Sequence, residues 1–412
     1  MAKLSITDLK DLCTKRVLMR VDYNVPLDET GAITDEKRIK ATVPSIEHLV
    51  KAGAKIVLCY HLGRPKGKRD PKQSLKPCAV ALSKILNKPV AFVDDCIGEK
   101  VDQAVAALKD GDILLLENLR FYAEEEKNDP AFSAELAKNA DVYINDAFGS
   151  WQSHASTVDI TRYLPSYAGF LLQKEISNLD RVLNPDRPFL AVVAGAKYDT
   201  KIGPLNKLYE KVDHLILGGV IYNTYLAAKA GVTISGVSDS DVQAAQSLVA
   251  MDAREKKIVE LPQVVESQSL EPPFQGQYRT LPISALKPGQ RYGYLLDIAP
   301  ESFEDPRVKE VLLAAKTIFV NAVMGYTPHF TEGSKALDQA IDKNRTAYKM
   351  YGGGDTLQEF KDLNPGLYLS VIDNTQYYFF TGGGSVLTAI ETGTPYGLKP
   401  VQALMENGGK QP

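Results

Sequence analysis

Ten short apolar runs recur along the chain with amphipathic stretches between many of them, and this alternation limits the fold more than any other feature. The runs are RVLMRVDY, AKIVLCYH, ILLLEN, DVYINDAF, FLAVVAG, HLILGG, YGYLLDI, TIFVNAV, YKMYGGG and YYFFTGG. VPSIEHLVKAG and PAFSAELAKNA, lying between them, carry helical spacing. Strands alternating with helices require parallel sheets with helices on both faces. The runs show little period-two alternation, as expected of strands buried on both sides. At 412 residues the chain is too long for one compact core, so at least two such domains are expected. A divide falls near Leu164 to Pro188. YAGFLLQKEISNLDRVLN has helical spacing and is stopped by PDRP, which predicts a long helix between two α/β domains. The stretch 268–293 is rich in Pro, Gly and Gln and reads as a surface loop or hairpin. The tail, PYGLKPVQALMENGGKQP, begins with turn residues after the last expected helix.

Composition removes several function classes. The net charge of −3 and pI near 6.1 argue against a broad nucleic-acid footprint, so any anion site must be a local basic cluster. Cys13, Cys59, Cys78 and Cys96 show no CxxC spacing and read as reduced thiols, neither zinc ligands nor a disulfide frame. The N-terminal stretch lacks an apolar signal region and no apolar run is long enough to span a bilayer, so a cytoplasmic protein is expected. The sequon at Asn344 is then a chance match.

In open parallel sheets, ligands bind beyond the carboxyl ends of the strands. The first half ends its strands in polar residues. RVLMRVDYNVP gives Asp22 and Asn24, with Arg38 following in EKRIKATVP; IVLCYHLGRPKG gives His61 and Arg64. ILLLENLRFY gives Glu117, Asn118 and Arg120; VYINDAFGSWQSHAST gives Asn145, Asp146 and His154. Any one of these arginines alone is best read as a surface ion pair. Together, past successive strands, they suit a small acid carrying a phosphate, whose oxygens match arginine forks.

The second half is different. FLAVVAGAKYDTK supplies Gly195, then Lys197 and Lys201 at i,i+4 spacing, which suits the phosphates of a nucleotide. HLILGGV supplies Gly218 and Gly219, and VNAVMGY supplies Asn321 and Gly325. Two glycine triplets follow, Gly352 to Gly354 and Gly382 to Gly384, each after an apolar run. Consecutive glycines at a helix start expose backbone N–H groups to an anion. Asp355 adds a carboxylate able to hold a metal, and Thr356 a hydroxyl. Neither GxxxxGK[ST] nor a helix-opening GxGxxG occurs. An acid-phosphate pocket on one domain and a nucleotide-phosphate pocket on the other fit phosphoryl transfer with domain closure.

These residues, in this order, resemble phosphoglycerate kinases. The resemblance runs the length of the chain through RVDYNVPL, EKRIKATVPSI, HLGRPKG, LLLENLRFYAEEE, DVYINDAFG, SHAST, AGFLLQKE, RPFLAVVAGAKYDTKI, KVDHLILGG, LDIAPES, VNAVMG, YGGGDT and FTGGGS. It implies two Rossmann-like α/β domains: an acid-phosphate domain over 1–168, an interdomain helix over 169–186, a nucleotide domain over 187–393, and a tail, 394–412, packed back on the first domain. It implies a monomer and transfer between 1,3-bisphosphoglycerate and MgADP, giving 3-phosphoglycerate and ATP. Carried over by position, Asp22, Asn24, Arg38, His61, Arg64, Arg120 and His154 match contacts to 3-phosphoglycerate. Gly195, Lys197, Lys201, Gly218, Gly219, Asn321, Gly325, Gly352, Gly353, Gly354, Asp355 and Thr356 match the nucleotide side, with Asp355 on Mg²⁺. The catalytic set reads Arg38, Lys197, Lys201, Gly353 and Gly383.

The chain departs from the family pattern at three places. Family members usually read GTAHRAHAST where this chain has GSWQSHAST, so Trp151, Gln152 and Ser153 replace a histidine and an arginine. Losing one charge-assisted contact costs about 1.5–3 kcal/mol, enough to weaken binding without abolishing chemistry. GGVIYNTY places Val220 where glycine is usual, and VNAVMGYTP places Pro328 where an acidic residue meets the ribose. Residues touching the phosphates are kept while those touching the nucleoside have drifted. Two alternatives to the active enzyme follow: a non-catalytic paralogue that binds phosphometabolites, and a kinase of the same fold with shifted nucleotide or acid preference.

Overall fold

The structure, a computed structural model, describes residues 5–196, 198 and 201–407. The chain divides into two compact units. One takes the chain up to Ser177 together with the segment from Pro395 on; the other runs from Asn178 to Thr394.

The first unit holds a six-stranded, fully parallel sheet. Its strands are β1 (Arg16–Arg20), β2 (Lys55–Cys59), β3 (Val90–Phe92), β4 (Ile113–Leu115), β5 (Val142–Asn145) and β6 (Ser166–Ala168), in the order β3-β4-β2-β1-β5-β6. Val17, Met19, Ile56, Leu58, Ile113, Leu115 and Ile144 pack in one core with Ile39, Ile46 and Leu49 of the helix Lys37–Lys51. All strands run the same way, so the loops bearing Asp22, His61, Arg120 and Asp146 leave one edge of the sheet. β4, β2, β1 and β5 are neighbours there.

The second unit repeats the principle with a five-stranded parallel sheet. β7 (Phe189–Gly195), β8 (His214–Gly218), β14 (Thr317–Asn321), β15 (Tyr348–Tyr351) and β16 (Tyr377–Phe379) lie in the order β16-β15-β14-β7-β8. Between β8 and β14 the chain also forms β9 (Thr233–Ile234), β10 (Gln263–Ser267), β11 (Tyr278–Pro282), β12 (Arg291–Tyr292) and β13 (Tyr294–Ile298). Of these, β11, β10 and β13 make an antiparallel sheet, which alternation with helices does not predict. The Pro/Gly/Gln-rich stretch thus carries an edge strand, β11, whose side chains are mostly exposed and leave no apolar run to read.

A helix spans Phe170–Leu183. Leu171, Leu172, Leu179, Val182 and Leu183 form its buried stripe, and Pro185 follows its end. The tail, expected to begin in turns after the last helix, carries a further helix, Lys399–Asn407. It starts just past the turn residues, with Pro400 near its N-terminus, where a missing N–H costs nothing. Val401, Ala403 and Leu404 are buried, and Asn407 Nδ2 donates to Thr161 Oγ1 at 3.0 Å. Asn344 is also buried, its amide donating to the carbonyls of Leu312 (2.8 Å) and Ala315 (2.9 Å), so it is no glycan acceptor. Among the described residues no helix is long and apolar enough to cross a membrane.

Candidate functional site

In the first unit the polar residues past β1, β2, β4 and β5 converge around an arginine that sequence reasoning passed over. Arg20 ends β1 and is wholly buried. Its guanidinium donates to Ser156 Oγ (2.8 Å), to the Val21 carbonyl (2.6 Å) and to His61 Nδ1 (2.7 Å), and lies 4.7 Å over the Tyr60 ring. Glu125, also fully buried, is 4.0 Å away and accepts from Ser156 Oγ (2.5 Å) and the Ser156 N–H (3.0 Å). Burial pushes the Glu125 carboxyl above its usual range, and Arg20 opposes this. A signal existed in the sequence: a basic residue ending an apolar strand needs a buried acid, and LRFYAEEE offers three.

Arginine can only donate, so His61 Nδ1 accepts and the proton of the neutral ring sits on Nε2. Burial drives the His61 pKa well below the ordinary value, helped by the charges of Arg20, Arg120 and Arg38. His154 is pulled down to about 4 by burial and by Arg20 and Arg120. The two rings meet edge to face at 6.3 Å. Both are therefore neutral hydrogen-bonding groups at neutral pH, and the fixed positive charge comes from the arginines. Arg120 donates to the Gly63 carbonyl at 2.8 Å and lies 3.3 Å from Glu126. Arg38 donates to Asp22 Oδ1 at 2.7 Å, and Asp22 foremost raises its pKa. Asp22 is buried and its Oδ2 has no hydrogen-bond partner. Gly149 passes so close to this oxygen that a Cβ would collide with it. Asn24 and Arg64, also expected here, are exposed; they sit at the rim and not in the cluster.

The altered loop rejoins the frame at His154. Thr157 Oγ1 donates to the Gln152 carbonyl (2.8 Å) and accepts the His154 N–H (3.0 Å), while Gln152 and Ser153 are exposed.

In the second unit three helices begin at the carboxyl ends of β8, β15 and β16: Gly219–Ala230, Gly354–Leu363 and Gly383–Thr392. Each is capped by glycine with no side-chain hydrogen bond, which leaves first-turn N–H groups for an anion, except that the Gly219 N–H already donates to the Met324 carbonyl at 3.2 Å. The glycines are needed for close approach. A Cβ on Gly383 would lie 2.5 Å from Gly353 Cα, and one on Gly219 2.9 Å from the Gly195 carbonyl oxygen. Gly353 and Gly219 also have φ of +117° and +58°. A Cβ on Gly218 would crowd Ala194 at 2.9 Å.

Lys201 lies beside these ends, donating to the Ala194 carbonyl (2.7 Å) and to Asn321 Oδ1 (2.8 Å). Asn321 Nδ2 in turn donates to the Gly352 carbonyl (2.6 Å). Burial pulls the Lys201 pKa down to about 8, and the charge of Asp355 opposes the shift. Asp355 is exposed in the first turn of its helix, while Thr356 is buried behind it. Lys197 lies outside the described residues. Gly325, expected in the nucleotide set, packs instead against Asp297 and the Phe330 carbonyl, where a Cβ would collide; it shapes a loop. Among the described residues no three His, Cys, Asp or Glu side chains gather as a metal cluster. The donor set fits a cation held by one carboxylate together with phosphates, as Mg²⁺ commonly is.

The family model described as phosphoglycerate kinase matches residues 6–393. A phosphoglycerate kinase of Moorella thermoacetica is 41% identical over 397 residues, covering 95% of this chain and 97% of the relative. A chloroplastic one of Volvox carteri is 42% identical over 401 residues, covering 94% and 84%. The solved phosphoglycerate kinase of Coxiella burnetii superposes with a TM-score of 0.81 at 31% identity, covering 98% of this chain and 100% of that one.

Proposed function

Because this chain belongs to the phosphoglycerate kinase family, and performs that family's reversible transfer between 1,3-bisphosphoglycerate and ADP, we propose that Arg38 and Lys201 carry the phosphoryl group across. The observation that supports this most is the pairing of an arginine cluster on one parallel sheet with glycine-capped helix starts and Lys201 on another. His61 Nε2–H, His154, Arg120 and the free Oδ2 of Asp22 suit the phosphate, carboxyl and hydroxyl oxygens of 3-phosphoglycerate, with the exposed Asn24 and Arg64 at the rim. The helix starts at Gly219, Gly354 and Gly383, with Thr356, cradle the nucleotide phosphates. Lys197 completes the set by position. Asp355 would hold Mg²⁺, which, when bound, offsets charge on the nucleotide phosphates.

The step balances without a covalent enzyme intermediate or a proton carrier. The P–O bond to the acyl oxygen breaks, a P–O bond to a β-phosphate oxygen of ADP forms, and the carboxylate of 3-phosphoglycerate leaves. Arg38, held by Asp22 and always charged, neutralises the equatorial oxygens as charge spreads over them. Direct transfer requires the two bound reactants to be brought together with water excluded, which assigns domain closure to the mechanism. One chain holds both sets, so a monomer suffices, and four free cysteines suit a reducing compartment such as the cytoplasm. A coupled assay with 3-phosphoglycerate, ATP and Mg²⁺ should show turnover that saturates in both substrates. No turnover from protein that melts cooperatively would contradict the proposal.

A second expectation concerns protons. With a pKa near 8, Lys201 is partly neutral in the free protein just above pH 8. Nucleotide phosphates favour its charged form, so ADP binding should take up a fraction of a proton there and almost none at pH 6. Calorimetry in two buffers of different ionisation enthalpy measures this. The linkage also acts on folding. The folded pKa lies below the unfolded value of 10.5, so the unfolded chain binds more protons between about 8 and 10.5, and this group's burial cost is relieved as pH rises through that window.

A further inference from the structure

The loop after β14, residues 325–330, carries the departure at Pro328 and leaves the same strand whose Asn321 holds Lys201. Backbone bonds tie its base to the scaffold. The Tyr326 N–H donates to the Leu296 carbonyl (2.7 Å), the Met324 N–H to Ser334 Oγ (2.9 Å), and the Gly333 N–H to Asp297 Oδ2 (3.1 Å). Within the loop, the His329 and Phe330 N–H groups both donate to the Tyr326 carbonyl, at 3.0 and 2.9 Å. One side-chain hydrogen bond leaves its crest: the Thr327 hydroxyl, on an exposed residue, donates to Glu359 Oε1 at 2.5 Å.

Glu359 sits on the helix Gly354–Leu363, four residues after Asp355 and so on the same face, one turn further from the phosphate end. It is only 6% exposed. The negative groups acting around it are Asp355, Asp362, Asp297 and Asp338, which make a buried carboxylate at this point costly unless donors hold it. The Ser334 and Thr327 hydroxyls both hydrogen-bond this buried acid, so the helix that opens at Gly354 is tied through Glu359 to the loop after β14.

We propose that Thr327 and Glu359 form a positioning latch that locks loop 325–330 onto the phosphate-binding helix and thereby sets nucleotide affinity. The proposal rests on the nucleotide occupying the carboxyl ends of β8, β14, β15 and β16. Neither residue touches the reacting atoms; both act by fixing where the loop stands when the nucleotide arrives, so that its ordering is complete before binding. The far end of the loop is held separately, His329 and Phe330 packing on Phe274 and Phe330 on Tyr278, so the bond from Thr327 fixes the crest.

The test compares Thr327→Val, which keeps the shape and removes the donor, with Thr327→Ser, which keeps the hydroxyl. Calorimetry reads the dissociation constants of MgADP and of 3-phosphoglycerate, and steady-state kinetics the nucleotide KM and kcat. Thr327→Val should weaken MgADP binding about tenfold, with the KM rising more than kcat falls. The 3-phosphoglycerate constant should not move. Thr327→Ser should return MgADP binding to within about twofold of the parent. A Thr327→Val protein that binds MgADP like the parent, or a serine variant as weak as the valine one, overturns the latch while leaving the proposed function standing. A parent protein that binds no MgADP overturns both. Glu359→Gln, whose amide oxygen still accepts from Thr327 without a buried charge, serves as a second variant and should bind MgADP within about threefold of the parent; a loss as large as that of Thr327→Val overturns the geometry.

Discussion

Arg38→Ala should lower kcat about a thousandfold, the scale on which a positioned cation acts in phosphoryl transfer. The Asp22 hydrogen bond at 2.7 Å aims the guanidinium, and the same carboxylate keeps it charged at any working pH. Alanine removes the charge and also strands Asp22, which is buried and already has one oxygen without a partner. Affinity for 3-phosphoglycerate should fall as well, by about tenfold. Affinity for MgADP should stay, because Arg38 belongs to the unit that does not carry the glycine-capped helix starts. Arg38→Lys should recover only part of the rate, since an ammonium keeps the charge without the planar fork. Steady-state kinetics on the three proteins decide this. An alanine variant within about tenfold of the parent kcat would remove Arg38 from the transition state.

Gly383→Ala should cost MgADP affinity more than a hundredfold and destabilise the protein by about 2–3 kcal/mol. The added Cβ would stand 2.5 Å from Gly353 Cα and 2.8 Å from Gly353 N. Both are backbone atoms that cannot swing aside, so the helix starts at Gly354 and Gly383 must part, and their N–H groups lose their common aim. Gly354→Ala is the control for stability. Nothing lies within 4 Å of its Cβ position, so that variant should melt like the parent. Thermal melts with calorimetric titration of MgADP separate a broken cradle from general unfolding.

Most of each parallel sheet was legible because β1, β2, β4, β5, β7, β8, β14, β15 and β16 are largely buried and read as apolar runs bounded by polar or glycine residues, whereas the three-residue edge strands β3 and β6 gave no such run. β11 was legible only through the hairpin alternative for 268–293, since an exposed edge strand has no apolar run, and the tail helix was hidden behind the turn residues that precede it. In the first unit the convergence of Asp22, Arg38, His61 and Arg120 could be read from where they follow strands. Arg20 could not be found that way, because it lies within a strand and its partners Ser156 and Glu125 are distant in sequence. Gly325 is ambiguous for a related reason. A glycine after a strand signals close approach, but sequence does not tell whether a phosphate or the chain's own Asp297 and Phe330 comes near. The hydroxyl of Thr327 carried no signal, its role depending on an acid placed by another helix.

The measurement that tests the account most directly is calorimetric titration of the parent protein, Arg38→Ala and Gly383→Ala with 3-phosphoglycerate and with MgADP in separate runs. The account predicts that the parent binds both, that Arg38→Ala loses affinity only for the acid, and that Gly383→Ala loses affinity only for the nucleotide. A folded Arg38→Ala protein that loses MgADP, or a folded Gly383→Ala protein that loses 3-phosphoglycerate, would contradict the assignment of one ligand to each sheet.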